Sequence, residues 1–144
     1  MAITSEICNS FKQEILEAEH NFTASTGNTF NLALYDSDAD LSKTTTAYTT
    51  SEELATTGGY TAKGKALTSV TPTLDSDTAV CDFSNTSWTS ASFTARGCLI
   101  FNDSHASDAS VCAIDFGGNK TVTSGTFTVE FPAAAASTAI IRIA

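Results

Sequence analysis

Three short stretches of the chain carry residue types whose spacing suggests chemistry. In "GGYTAKGKAL", Gly58 to Leu67, a glycine, four residues, a second glycine and Lys65 follow the spacing of a phosphate-cradling P-loop. Ala66 stands where such a loop needs a hydroxyl for magnesium. The residues after it, Leu67 to Leu74 with Pro72, open no helix to receive a phosphate. The stretch therefore reads as a glycine-punctuated hairpin. "DSDADL" places Asp36, Asp38 and Asp40 at alternate positions, as in the first half of a calcium loop. Leu41 replaces the turning glycine and Ala47 the closing glutamate, which leaves a weak calcium site or a solvated acidic loop. "NDSHASDAS" offers Ser104, His105 and Asp108 as nucleophile, base and orienter. A triad needs those groups to converge around a pocket, and one hairpin tip does not bring them there. His20 and His105 stand alone, and the four cysteines lack a metal-ligand spacing. No catalytic, cofactor or metal set is read from these residues, and the expectation is a protein that is not an enzyme.

The elements that would carry these stretches are mostly strands. Cys8, Phe11, Ile15, Ala18 and Phe22 recur at spacings of three and four, which predicts one amphipathic helix in an N-terminal segment 1–26. Its apolar stripe must cover the home sheet or dock on a partner. From Thr29 the period becomes two: Phe30, Leu32 and Leu34 alternate with Asn31, Ala33 and Tyr35 as a half-buried strand. Further strands are expected at 79–83, 91–102, 110–116, 125–131 and 139–143, with a short edge strand near 47–49. Gly117-Gly118-Asn119 reads as a turn, and Gly97 as a bulge. The sum is a mainly β protein. The expected fold is a single antiparallel β-sandwich or barrel-like domain, with a jelly-roll as one form, spanning 27–144 behind the N-terminal helix.

Charge and composition narrow the partners. The chain has 144 residues and a formal net charge of −9, with Ser and Thr supplying over a quarter of it. That charge opposes phosphate backbones and anionic lipid, so neither nucleic acid nor membrane is expected as a partner. The first twenty residues show neither a basic n-region nor an apolar run, and the expected folding compartment is a cytosol. There Cys8, Cys81, Cys98 and Cys112 read as buried thiols. Arg96 and Arg142 are the only arginines. Each sits in a strand, and Asp82 and Asp115 are strand-borne candidate ion-pair partners for them, in the core or at a subunit contact.

Several stretches in order, among them "ICNSFKQEILEAEHNF", "GGYTAKGKALTSVTPTL", "FTARGCLIFND" and "SGTFTVEFP", resemble a family of small virion proteins of tailed bacteriophages, particularly marine ones. The resemblance spans nearly the whole chain. It implies a non-enzymatic structural component of the virion, made in the bacterial host cytoplasm. The first expectation is a capsid decoration or cement protein that braces the major capsid protein as a homo-oligomer, a trimer in the simplest arrangement. Cys8, Phe11, Ile15, Arg96 and Arg142 are the candidate interface residues. A second expectation places the chain in the tail, as an adaptor, portal-side or fibre-associated subunit. A third is a carbohydrate-binding module for host attachment, with Trp88, Tyr48 and Tyr60 as sugar platforms.

Overall fold

The computed structural model describes residues 2–144 as two antiparallel sheets and one short helix. In chain order the elements are β1 (Glu6–Ile7), α1 (Asn9–Leu16), β2 (Phe30–Tyr35), β3 (Lys65–Ala66), β4 (Ser69–Asp75), β5 (Thr78–Phe83), β6 (Thr86–Asn102), β7 (Ser110–Val129) and β8 (Ile141–Ile143). The larger sheet has the order β1-β7-β6-β2-β3, the smaller one β4-β5-β8. This is the mainly β, sandwich-like single domain expected from the period-two patterning.

One long hairpin frames the molecule. β6 and β7 pair from Phe101 opposite Ser110 to Thr86 opposite Val129. The Gly117-Gly118-Asn119 stretch, expected to reverse the chain, lies inside β7 instead. Ala95 pairs with Lys120 and Gly97 with Asp115, so one residue of β6 faces four of β7. Gly117 takes a φ of 79°, and the surplus residues leave the ladder as a bulge while the strand continues. Gly97, read as a bulge glycine, does sit at this register shift. A Cβ there would lie 2.4 Å from the Ile114 carbonyl oxygen, so no larger residue fits. A second irregularity follows at Ser124, φ 46°, between the Ala91–Gly125 and Phe93–Val122 pairs.

The half-buried strand expected at Phe30–Tyr35 is covered on both faces. Phe30, Leu32 and Leu34 point into the main core with Cys98, Ile100 and Phe83. Ala33 and Tyr35 point the other way, into a second cluster with Ile3, Leu41, Leu99 and Phe101. The long 36–64 connection, whose first residues Asp36–Leu41 read as a solvated acidic loop or a weak calcium site, is what covers that second face. Tyr35 Oη donates to the Thr49 carbonyl at 2.6 Å, and Leu54 N–H to Leu34 O at 3.0 Å. Each fully buried large side chain contributes roughly 1.5–3 kcal/mol by leaving water.

The N-terminal helix is much shorter than expected. It spans 9–16, not 1–26, because the chain before it finds strand partners and the chain after it turns away. Ile3 bridges Leu41, while Glu6 and Ile7 pair with Ala113 and Cys112. Ala18, at φ 62°, turns the chain out of the helix. The spacing was still informative, since Cys8 and Phe11 are buried and Ile15 packs beside them. Phe22 reaches the same core along extended chain, stacking on Phe30 at 4.2 Å. All four cysteines are free, buried thiols, in line with the sequence reading. Burial pushes Cys81 up to about 12.

Candidate functional site

The strongest candidate surface runs along the outer side of β7. β1 pairs only with Cys112 and Ala113, so from Ile114 to Val129 that edge has no strand partner among the described residues. Beside it lies an apolar groove of about 560 Å³, walled by Phe116, Val122, Phe127 and Phe131 and closed by Pro132 and Ile140. Its floor follows from register. Val122 is opposite Phe93 and Phe127 opposite Trp88, so the bulge at Ser124 keeps an even-numbered and an odd-numbered residue on one face.

Lys120 shares this face. It stands opposite the buried Ala95, two residues before Val122, and makes no ion pair among the described residues. Thr128 and Glu130 also border the groove, and the Thr128 hydroxyl contacts Ser87 Oγ at 2.9 Å. The groove is therefore apolar along its phenylalanine wall, with Lys120 and Glu130 both at its border. The alternation of Phe127, Val129 and Phe131 signalled an apolar face in the sequence. That this face lacks a covering strand was not legible there.

The sequence candidates fall elsewhere. Gly64 turns at φ 69° against the Leu32 backbone, and Lys65 lies over the Trp88 ring at 5.6 Å with its ammonium on the Ser87 carbonyl oxygen. The P-loop lookalike is thus a packed turn. Asp36 and Asp38 gather with Glu52, not with Asp40, their carboxylate oxygens within 4.8 Å of one another. Calcium takes six to eight oxygens, drawn from carboxylates, carbonyls and water, and these three carboxylates would supply part of such a shell. Asp36 already accepts the Asp38 N–H at 2.9 Å.

Ser104, His105 and Asp108 do not converge. Ser104 Oγ accepts from Thr29 N–H, Asp108 pairs with Lys63 at 2.9 Å, and His105 lies between Ser107 and Glu19. Trp88 and Tyr60 are buried, so neither ring presents the exposed platform that a sugar would need. Tyr48 is half-buried, with Lys63 5.6 Å above its ring.

Of the interface candidates, Cys8 and Phe11 are buried in the chain's own core and Ile15 packs against it, which leaves the helical stripe at home. Arg96 resolves its two options in favour of Asp115, Nε to Oδ1 at 2.8 Å. The Arg96 guanidinium holds the Asp115 carboxyl below its ordinary range. Asp82, the other option, is buried away from it. Arg142 is exposed, with Nη1 3.4 Å from the Ala136 carbonyl oxygen. Among the described residues no helix is long and apolar enough to cross a membrane. Comparison with family models, curated proteins and solved structures returned no match for this chain.

Proposed function

We propose that this chain is a non-enzymatic structural subunit of a tailed-phage virion, specifically a decoration or cement protein that braces the major capsid protein from outside the head. The observation that supports a docking role is the apolar groove beside the unpaired outer edge of β7. Apolar surface of this kind beside free backbone groups is covered in assemblies by protein. The phage assignment rests on the sequence resemblance. Rigidity also suits the role. Both faces of β2 are packed, and the β6–β7 hairpin pairs from Phe101 opposite Ser110 to Thr86 opposite Val129.

Copy number in purified virions, measured against the major capsid protein, tests this reading. Parity, or a fraction set by the icosahedral axes, is the expected result. A handful of copies per particle would place the subunit in the tail or at the portal instead. Absence from the particle would overturn the virion role.

A further inference from the structure

We propose that the apolar face beside the end of α1 joins this chain to a second copy of itself. Leu16 of each copy would sit in a hole between α1 and the small sheet of the other. The contact is independent of the virion role, and a single face of the chain supplies both of its halves.

The face follows from strand register. Cys81 pairs with Ile141, and both lie in the main core with Phe11 and Phe22. Leu74 pairs with Ala79 and Ala79 with Ile143, a row two residues further along the same side of the small sheet. That row is open to solvent: Leu74 is 75% exposed and Ile143 59%. With Leu16 at the end of α1, 87% exposed, these are the three most exposed large apolar side chains among the described residues. Between helix and sheet lies a hole of about 130 Å³, lined by Phe11, Ile15, Pro72, Cys81, Ile141 and Ile143. Ile15 is the chain neighbour of Leu16, so the projecting side chain and the hole stand side by side.

Size and symmetry select the occupant. The hole is close to the roughly 150 Å³ that truncating a buried leucine leaves. An unrelated partner needs only a hole to fill or a side chain to bury. A face carrying both is self-complementary, the condition for a two-fold contact in which each copy gives and receives the same side chain. Leu16, Leu74 and Ile143 together expose about 400 Å² per copy, the size of the largest apolar patch on a typical monomer. Where apolar atoms make up a little over half of an interface, two such patches belong to one of about 1,400 Å² in total, enough for a stable dimer. The residues lining the hole are uncharged, and charges of both signs stand near the patch in sequence, at Lys12, Glu17, Asp75 and Arg142. The net charge of −9 therefore opposes the contact from outside it, and physiological salt screens that repulsion over about 8 Å.

Sedimentation of the purified full chain over a range of protein concentrations tests the proposal. A monomer–dimer equilibrium is expected, and it should tighten as salt rises, because the charge repulsion is screened while the apolar contact persists. Leu16→Ser should weaken the dimer about a hundredfold, since a two-fold contact loses both leucines at once. Leu16 is largely exposed, so an unchanged denaturation midpoint will show that the fold is intact. Ile143→Ser, at the hole, should weaken the dimer as well. Val70→Ser is the control: Val70 is also exposed, but it pairs with Asp82 and so lies on the opposite side of the small sheet from Cys81. It should leave the dimer unchanged. A monomer at every concentration would overturn the proposal. So would a trimer or larger ring, a dimer indifferent to Leu16→Ser, or equal weakening by Val70→Ser. Absence from virions would overturn the virion role and leave these results standing.

Discussion

Asn102 Nδ2 lies 3.1 Å from Nδ1 of His20, and this contact fixes which ring nitrogen carries the proton. Asn102 Oδ1 accepts from Ser104 N–H at 3.0 Å, so its amide nitrogen must be the group that faces His20. His20 Nδ1 therefore accepts, and Nε2–H donates to Glu14 Oε2 at 2.7 Å. The contact joins the segment after α1 to the end of β6, across eighty-two residues of chain. His20→Ala removes a buried ring and strands two polar groups, and should lower the unfolding free energy by about 2–4 kcal/mol. Chemical denaturation measures this, and a loss under about 0.5 kcal/mol would show the segment to be held by other contacts.

Glu53 collects three donors: Tyr60 Oη at 2.7 Å, Lys63 N–H at 2.7 Å and Tyr48 Oη at 2.5 Å. Burial, then the Glu53 carboxylate, raises Tyr60 and pushes Tyr48 up to about 12. Tyr35 is raised as well, by burial first. These are the chain's three tyrosines. A phenol raised in the folded state loses its proton first in the unfolded chain. Its contribution is thus complete below the ordinary value of 10 and falls away as pH rises toward 12. The tyrosinate absorption band should stay absent at pH 10 in the native protein. In Glu53→Gln its onset should move down toward that value.

Asp82 follows the same sign at the acid end of the pH range. Its carboxyl is buried, Oδ1 accepts the Phe83 N–H at 2.8 Å, and Oδ2 has no hydrogen-bond partner. Burial raises it above the ordinary 3.8. The folded state then binds a proton that the unfolded chain has already lost. Acidification through the raised value toward 3.8 adds stability, and the charged form costs stability above it. Asp82→Asn should stabilise the protein at neutral pH by about 1 kcal/mol. The advantage should shrink as pH falls, and a gap independent of pH would refute the assignment.

Gly64 turns with φ +69°, and a Cβ there would stand 1.8 Å from the Leu32 carbonyl oxygen. Gly64→Ala combines a backbone clash with left-handed strain and should cost about 2–4 kcal/mol. Gly118 supplies the control, since nothing lies within 4 Å of its added Cβ. Gly118→Ala should change stability by less than about 0.5 kcal/mol. Equal effects at both sites would mean that the turn yields to accommodate the methyl.

The sequence by itself determined the class of fold and most of the core. Phe30, Leu32 and Leu34 declare a strand because side chains alternate across a pleat, a strictly local property. Cys8, Phe11 and Ile15 declare a helical face for the same kind of reason. Pairing decided what local pattern does not encode. The helix starts no earlier than Asn9 because Ile3, Glu6 and Ile7 find partners more than thirty residues away, in Leu41 and β7, and Ala18 at φ 62° turns the chain out after Leu16. Gly117 and Gly118 look like a turn in isolation, yet they bulge because β6 holds β7 on both sides of them. Arg96 meets Asp115 rather than Asp82 because the β6–β7 register sets Gly97 opposite Asp115 and carries Asp82 into the other sheet. The groove beside β7 belongs wholly to the tertiary structure. Its apolar residues are visible in the sequence, but their exposure depends on where β1 stops and how far β8 lies to the side, and strand adjacency is a long-range property of the folded chain.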